Sequence, residues 1–299
     1  MRALIAVLLG LAAGPAAAAL EVFACTPEWA ALARELGGER VSVYEATSAR
    51  QDPHRIEARP ALLARARRAD LLVCTGAELE AGWLPLLQRE SGNPRIQSGR
   101  PGYFEAAAYV ELLEKPAALD RSLGDIHAAG NPHIHLDPRN LLKVADALAR
   151  RLAELSPKDA VYFESRHRDF SSRMREAIAR WEREAAPLRG VPVVTHHRHS
   201  SYLLAWLGMK QVADLEPLPG VEPSVGHLAK VVEQLRTEPA RMVLRVPYQS
   251  PRPSEWVVGR VPGMRAVELP FTVGGSERAK DLFGLFDDTL ARLLAAVRG

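Results

Sequence analysis

Apolar and polar residues follow two different periods along this chain, and their succession predicts strands and helices in regular alternation. Short apolar runs predict strands over residues 21–25 and 69–75, and an alternation of apolar and polar residues predicts a strand over 40–46. Between them, apolar residues three and four positions apart predict helices over residues 27–36 and 57–68. A strand-helix-strand succession of this kind gives a mostly parallel sheet with helices on both faces.

A long helical region separates this part from a second, similar succession. Apolar spacings predict one helix from residue 138 and a second over 157–186, with no glycine until Gly190. Strands then return over residues 191–195, 211–214, 241–246 and 264–269, and helices over 224–235 and 280–297. We therefore predict an α/β fold of two Rossmann-like lobes with parallel sheets, joined by a single long backbone helix. The expected division is 20–137 for the N-terminal lobe, 138–188 for the helical linker and 189–299 for the C-terminal lobe.

The first 19 residues have the pattern of a secretory signal peptide. Arg2 precedes an apolar run, and small residues at 16–19 form a cleavage site. The apolar run is shorter than the roughly 20 residues needed to span a bilayer. No cysteine stands where a lipoprotein signal requires one, so we expect a diffusible protein in the periplasm.

Composition and motifs exclude several functional classes. The net charge is +3, with 39 basic and 36 acidic residues and no basic block, so no nucleic-acid partner is expected. The chain has no Gly-x-Ser-x-Gly, phosphate-loop, dinucleotide or His-Glu-x-x-His motif, which favours binding over catalysis. Cys25 and Cys74 lie in separate apolar strands and are expected to be buried free thiols, although a bridge is conceivable if those strands are neighbours.

Three histidines stand in polar loops that we expect at the carboxyl ends of separate strands: His54, His133 and His197. Such loops converge at one edge of an open α/β sheet. Neutral imidazole is a common ligand for divalent transition metals. Three nitrogen donors favour Zn²⁺, whereas Mn²⁺ favours more oxygen donors, so zinc is expected ahead of manganese.

The motifs around these histidines resemble those of the zinc- and manganese-binding substrate-binding proteins of bacterial ABC importers, also called cluster A-I. The resemblance rests on the order and spacing of Asp52-Pro53-His54, Gly76-Ala77-Glu78-Leu79-Glu80, Pro132-His133 before Leu136-Asp137-Pro138, and Val194-Thr195-His196-His197 before Leu207-Gly208-Met209. It implies two lobes with a metal ion in the cleft between them, and it places metal ligands on His54, His133 and His197. It also implies a membrane permease as partner.

The sequence departs from that family at the fourth ligand. The family supplies a carboxylate from a loop of the second lobe, but here only Glu268 lies near that place, one register away and expected on the opposite strand face. Water or another group is therefore an open alternative. The loop between Glu114 and Asn131 is short, so metal scavenging by it is not expected, and its His127 is expected outside the site. His135 and His196 are expected to pack or to support the ligands, and the role of His199 stays open.

Two other functions fit the same residues. A periplasmic zinc chaperone would hand the metal to another protein, and a zinc-dependent enzyme would use a three-histidine site with an open position. The enzyme is disfavoured because no paired catalytic motif accompanies the histidines. We expect a monomer, with a periplasmic metallochaperone as a further candidate partner.

Overall fold

The computed structural model describes residues 19–116 and 127–298, and these form two four-stranded parallel sheets. The strand order is β2-β1-β3-β4 in the first sheet and β6-β5-β7-β8 in the second. The strands are β1 Leu20–Ala24, β2 Val41–Glu45, β3 Leu71–Cys74, β4 Tyr103–Glu105, β5 Pro192–Thr195, β6 Lys210–Asp214, β7 Met242–Arg245 and β8 Arg265–Glu268. The predicted α/β architecture of two parallel-sheet lobes is confirmed.

Helices cover both faces of the sheets and connect them. They are α1 Pro27–Gly37, α2 Pro60–Arg68, α3 Leu84–Ser91, α4 Pro138–Leu155, α5 Ala160–Glu184, α6 Ser201–Leu207, α7 Val225–Thr237, α8 Arg252–Val258 and α9 Leu282–Arg298. Proline supplies the first turn of several of them, where its missing N–H is not needed. Helix α2 begins three residues later than predicted because the residue before Pro60, Arg59, is extended.

Helix α5 joins the two lobes, as predicted. At its first half, the Arg166 Nε donates to the Glu35 carbonyl of α1 at 2.8 Å. At its second half, the Trp181 Nε1 donates to the Asp287 carboxylate of α9 at 2.6 Å. The 25-residue helix contains no glycine or proline, and these are the residues at which helices chiefly kink.

A shared apolar core lies between the lobes. Val22 of β1 and Leu244 of β7 belong to one continuous buried cluster, whereas the opposite face of each sheet packs against a cluster of its own. Polar bonds also cross between the lobes: the buried Thr272 hydroxyl donates to the Glu28 carboxylate at 2.6 Å. The lobes therefore meet over an apolar and hydrogen-bonded interface beneath the cleft.

The two cysteines form a disulfide bond, so the expectation of free thiols is wrong. Strands β1 and β3 are neighbours in parallel register, with Ala24 opposite Val73. This register places Cys25 beside Cys74, with 4.8 Å between their Cα atoms, a separation that a disulfide spans. Periodicity alone predicts each strand but does not say which strands pair.

The predicted signal peptide, residues 1–19, lies almost wholly outside the described part of the chain. Within residues 19–116 and 127–298, no helix has both the length and the apolar character needed to cross a bilayer.

Candidate metal centre

His54, His133 and His197 converge in the cleft between the two lobes. Each offers a ring nitrogen, and these three atoms all lie within 4.8 Å of one another. The ring centroids are 5.4 Å apart for His54 and His133, 5.7 Å for His133 and His197, and 6.0 Å for His54 and His197. His133 and His197 also line a cavity of about 480 Å³.

Similar short turns position the two histidines of the first lobe. The side-chain oxygen of Asp52 accepts the backbone N–H of His54 at 3.0 Å, and that of Asn131 accepts the N–H of His133 at 3.0 Å. A proline lies between the two residues in both turns, which restricts the backbone further. The proline carbonyl before His54 also accepts the Nε1–H of buried Trp83 at 3.0 Å. Both histidines are thus held by local hydrogen bonds.

The sequence-based placement of His133 directly after a strand is wrong. Strand β4 ends at Glu105 and runs into a short 3₁₀ turn, Ala106–Tyr109. His133 lies much later in the connection to α4, immediately before another 3₁₀ turn, Ile134–Leu136. The loop still returns it to the cleft, whereas His197 follows β5 closely, as predicted.

Carboxylates fix the orientation of two of the imidazole rings. The Nδ1 atom of His54 lies 2.7 Å from the Asp52 carboxylate, and that of His197 lies 2.7 Å from the Glu216 carboxylate. Because an ionised carboxylate only accepts hydrogen bonds, each neutral ring carries its proton on Nδ1 and keeps a lone pair on Nε2. Burial acts to raise the pKa of Asp52, but the hydrogen bond and charge of His54 outweigh it and lower that pKa.

His133 is the most deeply buried of the three histidines, with 1% of its surface exposed. Neither of its ring nitrogens has a hydrogen-bond partner among the residues that the structure describes. Burial, followed by the charges of His54 and His197, holds the pKa of His133 well below its ordinary value. A buried polar atom without a partner costs about 1–3 kcal/mol, and a neutral ring with a free lone pair is suited to bind a metal ion.

The carboxylate considered as a fourth ligand is paired elsewhere. Glu268 forms an ion pair with Arg245 on the adjacent strand β7. After β8, Phe271 turns towards the histidines, with its ring centroid 5.7 Å from that of His133. The second lobe therefore presents an aromatic ring to His133, and Glu268 remains with its arginine.

Three other histidines lie around the site. His135 contacts Glu28 at 3.5 Å and the Phe271 carbonyl at 3.0 Å. The backbone of His196 continues the β5 ladder by donating to the Leu244 carbonyl at 2.8 Å. His199 is fully buried, and its ring stacks on that of His197 with centroids 5.9 Å apart. Burial lowers the pKa of His196 to about 4 and that of His199 well below its ordinary value.

His127, which was expected outside the site, lies beside His54. Its Nε2 atom is 3.3 Å from the Nε2 atom of His54, and the two rings stack with centroids 5.3 Å apart. Burial, and then the charges of His54 and His197, lower the pKa of His127 to about 4. The feature of the sequence that could have indicated this position is that His127 precedes His133 by six residues in the same loop. Asp120 and Asp125 of the same loop lie outside the described residues.

Sequence comparison relates nearly the whole described chain to one family. The profile of a family described as "Zinc-uptake complex component A periplasmic" matches residues 22–296. The "Zinc-binding lipoprotein AdcA" of Streptococcus pneumoniae is 22% identical over 207 residues, which are 68% of this chain and 40% of that protein. The "Metal ABC transporter substrate-binding lipoprotein SloC" of Streptococcus mutans is 24% identical over 52% of this chain and 48% of its own length. The chain thus spans less than half the length of these two relatives.

Solved structures share the fold. The crystal structure of ZnuA superimposes with a TM-score of 0.72 at 19% identity, covering 92% of this chain and 99% of that one. The structure of FpvC from Pseudomonas aeruginosa in complex with Mn²⁺ gives a TM-score of 0.76 at 21% identity, covering 93% of this chain and 98% of that one. At these identities the likeness establishes the two-lobe architecture.

Proposed function

Because the chain belongs to the family of periplasmic zinc-uptake complex component A proteins, we propose that it is a periplasmic metal receptor that delivers its ion to the permease of an ABC importer. One divalent ion binds in the cleft to His54, His133 and His197. The observation that carries this proposal is the convergence of three imidazole nitrogens within 4.8 Å of one another at the meeting of two lobes.

Zinc is the preferred ion on the chemistry of the donors. Zn²⁺ binds imidazole nitrogens in tetrahedral sites, whereas Mn²⁺ prefers carboxylate, carbonyl and water oxygens. The two carboxylates beside the site, Asp52 and Glu216, already accept the Nδ1 protons of His54 and His197. The donors that face the ion are therefore nitrogens, and the cleft binds manganese more weakly than zinc.

The site is arranged for binding and release without catalysis. A hydrolytic zinc enzyme needs a general base within hydrogen-bonding reach of the metal-bound water. Asp52 and Glu216 hold imidazole rings in place, and Glu216 also accepts the Gly220 N–H at 2.8 Å. These two carboxylates therefore orient ligands and do not serve as bases.

The cellular setting follows from the N-terminus and from the relatives. We propose that residues 1–19 direct export and are removed, and that the mature chain is a monomer in the periplasm. The names of the relatives, a zinc-binding lipoprotein and a metal ABC transporter substrate-binding lipoprotein, support a membrane permease as the acceptor of the ion. A periplasmic metallochaperone is a second candidate partner that exchanges zinc with the receptor.

Competition with a chromogenic chelator tests the metal assignment. We expect one zinc ion per chain, little displacement by an equal concentration of manganese, and large losses of affinity in His54→Ala, His133→Ala and His197→Ala. His167→Ala, on helix α5, is the matched control and keeps the affinity of the wild type. A stoichiometry near zero, or manganese winning at equal concentration, would exclude the proposed function.

Transport by a reconstituted permease separates a receptor from a zinc chaperone. Zinc-loaded protein added to vesicles that contain the candidate ABC permease with its ATPase should support ATP-dependent uptake of zinc. The His133→Ala variant should not support uptake at limiting zinc. Zinc binding without uptake, together with transfer to another periplasmic protein, would identify a chaperone.

A further inference from the structure

His127 approaches the site from a loop that neither the motifs nor the expected ligand set includes. Its Nε2 atom lies 3.3 Å from the Nε2 atom of His54. The Nδ1–H of His54 donates a hydrogen bond to the Asp52 carboxylate. The lone pair on the Nε2 atom of His54 therefore faces His127. Two arrangements give this contact: a hydrogen bond between the two rings, or two lone pairs directed at one ion.

The separation between these nitrogens equals the edge of a zinc coordination tetrahedron. With Zn–N distances of about 2.0–2.1 Å, two ligand nitrogens on one tetrahedral ion lie about 3.3–3.4 Å apart. The pair of His54 and His127 already has this spacing, and His54 is also a member of the three-histidine set. An ion bound at His54 is therefore within reach of His127, although the His127 nitrogen lies outside the group of three that are within 4.8 Å of one another and would have to approach His133 and His197 more closely.

The loop holds His127 beside the site by bonds on its C-terminal side. The Gly130 N–H donates to the His127 carbonyl at 3.1 Å, and the Ala128 N–H donates to the Glu78 carboxylate at 2.5 Å. Gly130 has a φ of +119°, and a Cβ there would lie 2.7 Å from the Leu113 carbonyl oxygen, so this turn requires glycine. Hydrogen bonds and a required glycine thus hold the chain between His127 and His133 in a defined turn beside the cleft.

The usual carboxylate donors are committed to other partners. Glu268 pairs with Arg245, and Asp52 and Glu216 accept the Nδ1 protons of two ligand rings. His199 is another buried imidazole beside the ligands, with its ring centroid 5.9 Å from that of His197, 6.3 Å from that of His133 and 5.6 Å from that of Phe271. Neither of its ring nitrogens has a hydrogen-bond partner among the described residues. His127 is the donor whose nitrogen directly meets a ligand nitrogen.

We propose that His127 supplies the fourth ligand, so that the ion is held by four imidazole nitrogens. This inference rests on the proposed function, since it presumes an ion at His54, His133 and His197. Four neutral nitrogen donors strengthen the preference for zinc over manganese. They also place one ligand on a loop residue outside the three-histidine set.

Cobalt substitution tests the donor set without relying on transport. Co²⁺-loaded wild-type protein should show the intense visible absorption of a four-coordinate ion, and X-ray absorption of the zinc form should fit four nitrogen neighbours. In His127→Ala the fit should change to three nitrogens and one oxygen. Zinc affinity should fall about 100-fold or more, because even loss of a group behind a ligand costs about 10- to 100-fold.

His167→Ala is the control variant and should not alter the spectrum of bound cobalt. Equal affinity and an unchanged spectrum in His127→Ala would overturn the inference while leaving the three-histidine site intact. A spectral change in His199→Ala alone would overturn it as well and assign the fourth position to His199. Wild-type protein that binds neither zinc nor cobalt would instead refute the proposed function itself.

Discussion

Replacing Glu216 by glutamine isolates the contribution of the carboxylate behind His197. The Oε2 atom of Glu216 accepts both the His197 Nδ1–H at 2.7 Å and the Gly220 N–H at 2.8 Å. The side chains of His197 and Glu216 are mostly buried, with 11% and 14% exposed. Glutamine keeps the shape and one accepting oxygen but removes the negative charge. The loss of zinc affinity in this variant therefore measures the contribution of the negative charge beside the His197 ring.

The size of the effect follows from the two kinds of hydrogen bond. A bond to a charged group contributes about 1.5–3 kcal/mol, and a neutral one about 0.5–1.5 kcal/mol. The substitution of Glu216 by glutamine therefore weakens the hydrogen bond to the His197 ring by about 1–2 kcal/mol when the bound ion draws electron density from that ring. We expect zinc affinity to fall about tenfold, since a factor of ten corresponds to about 1.4 kcal/mol.

Equilibrium competition against a zinc chelator measures this loss. Glu233→Gln is the control, because Glu233 lies on α7 in an exposed ion pair with Arg236 and such pairs contribute little. Unfolding of both metal-free variants in urea checks that the fold is kept. Equal zinc affinities for Glu216→Gln and Glu233→Gln would refute the argument that the carboxylate orients His197.

Three further predictions concern stability and motion. Burial raises the pKa of Glu80 from 4.5 to about 7, so its contribution to stability is full below about pH 4.5 and is lost as the pH rises through 7. Urea unfolding from pH 5 to 8 should show a decline of up to about 3 kcal/mol in wild type that Glu80→Gln lacks, and parallel curves would contradict this. Reduction of the Cys25–Cys74 bond, with a sequence separation of 49, should lower the free energy of unfolding by about 4 kcal/mol; an unchanged urea midpoint would show that the bond does not stabilise the fold. Small-angle scattering should give nearly the same radius of gyration with and without zinc, because α5 has no kink residue and the Thr272–Glu28 bond ties the lobes; a large decrease on adding zinc would indicate hinge closure.

Periodicity predicted most of the fold because the elements are long or strongly patterned. All described strands except β4, and the linking helix α5, were expected within a few residues of their observed bounds. The pattern gave no element over residues 81–110, where the structure has α3 and β4. Strand β4 spans only Tyr103–Glu105, too short for a period of two to be distinguished from chance.

The site was predictable only as far as its motifs are local. The turns Asp52-Pro53-His54 and Asn131-Pro132-His133 carry both a proposed ligand and the residue that positions it, although the side-chain role of Asp52 towards the His54 ring was not predicted. His127 and His54 are 73 residues apart, and their contact depends on how a long loop returns to the cleft. The Cys25–Cys74 bond was missed for the same reason, since it depends on which strands are neighbours.

Diffraction from crystals of the zinc-loaded protein, with data on both sides of the zinc absorption edge, shows directly which residues hold the ion. We expect one strong anomalous peak in the cleft, at about 2.0–2.1 Å from a nitrogen of each of His54, His133 and His197. A peak bound elsewhere on the chain, or no peak in the cleft at saturating zinc, would contradict this expectation.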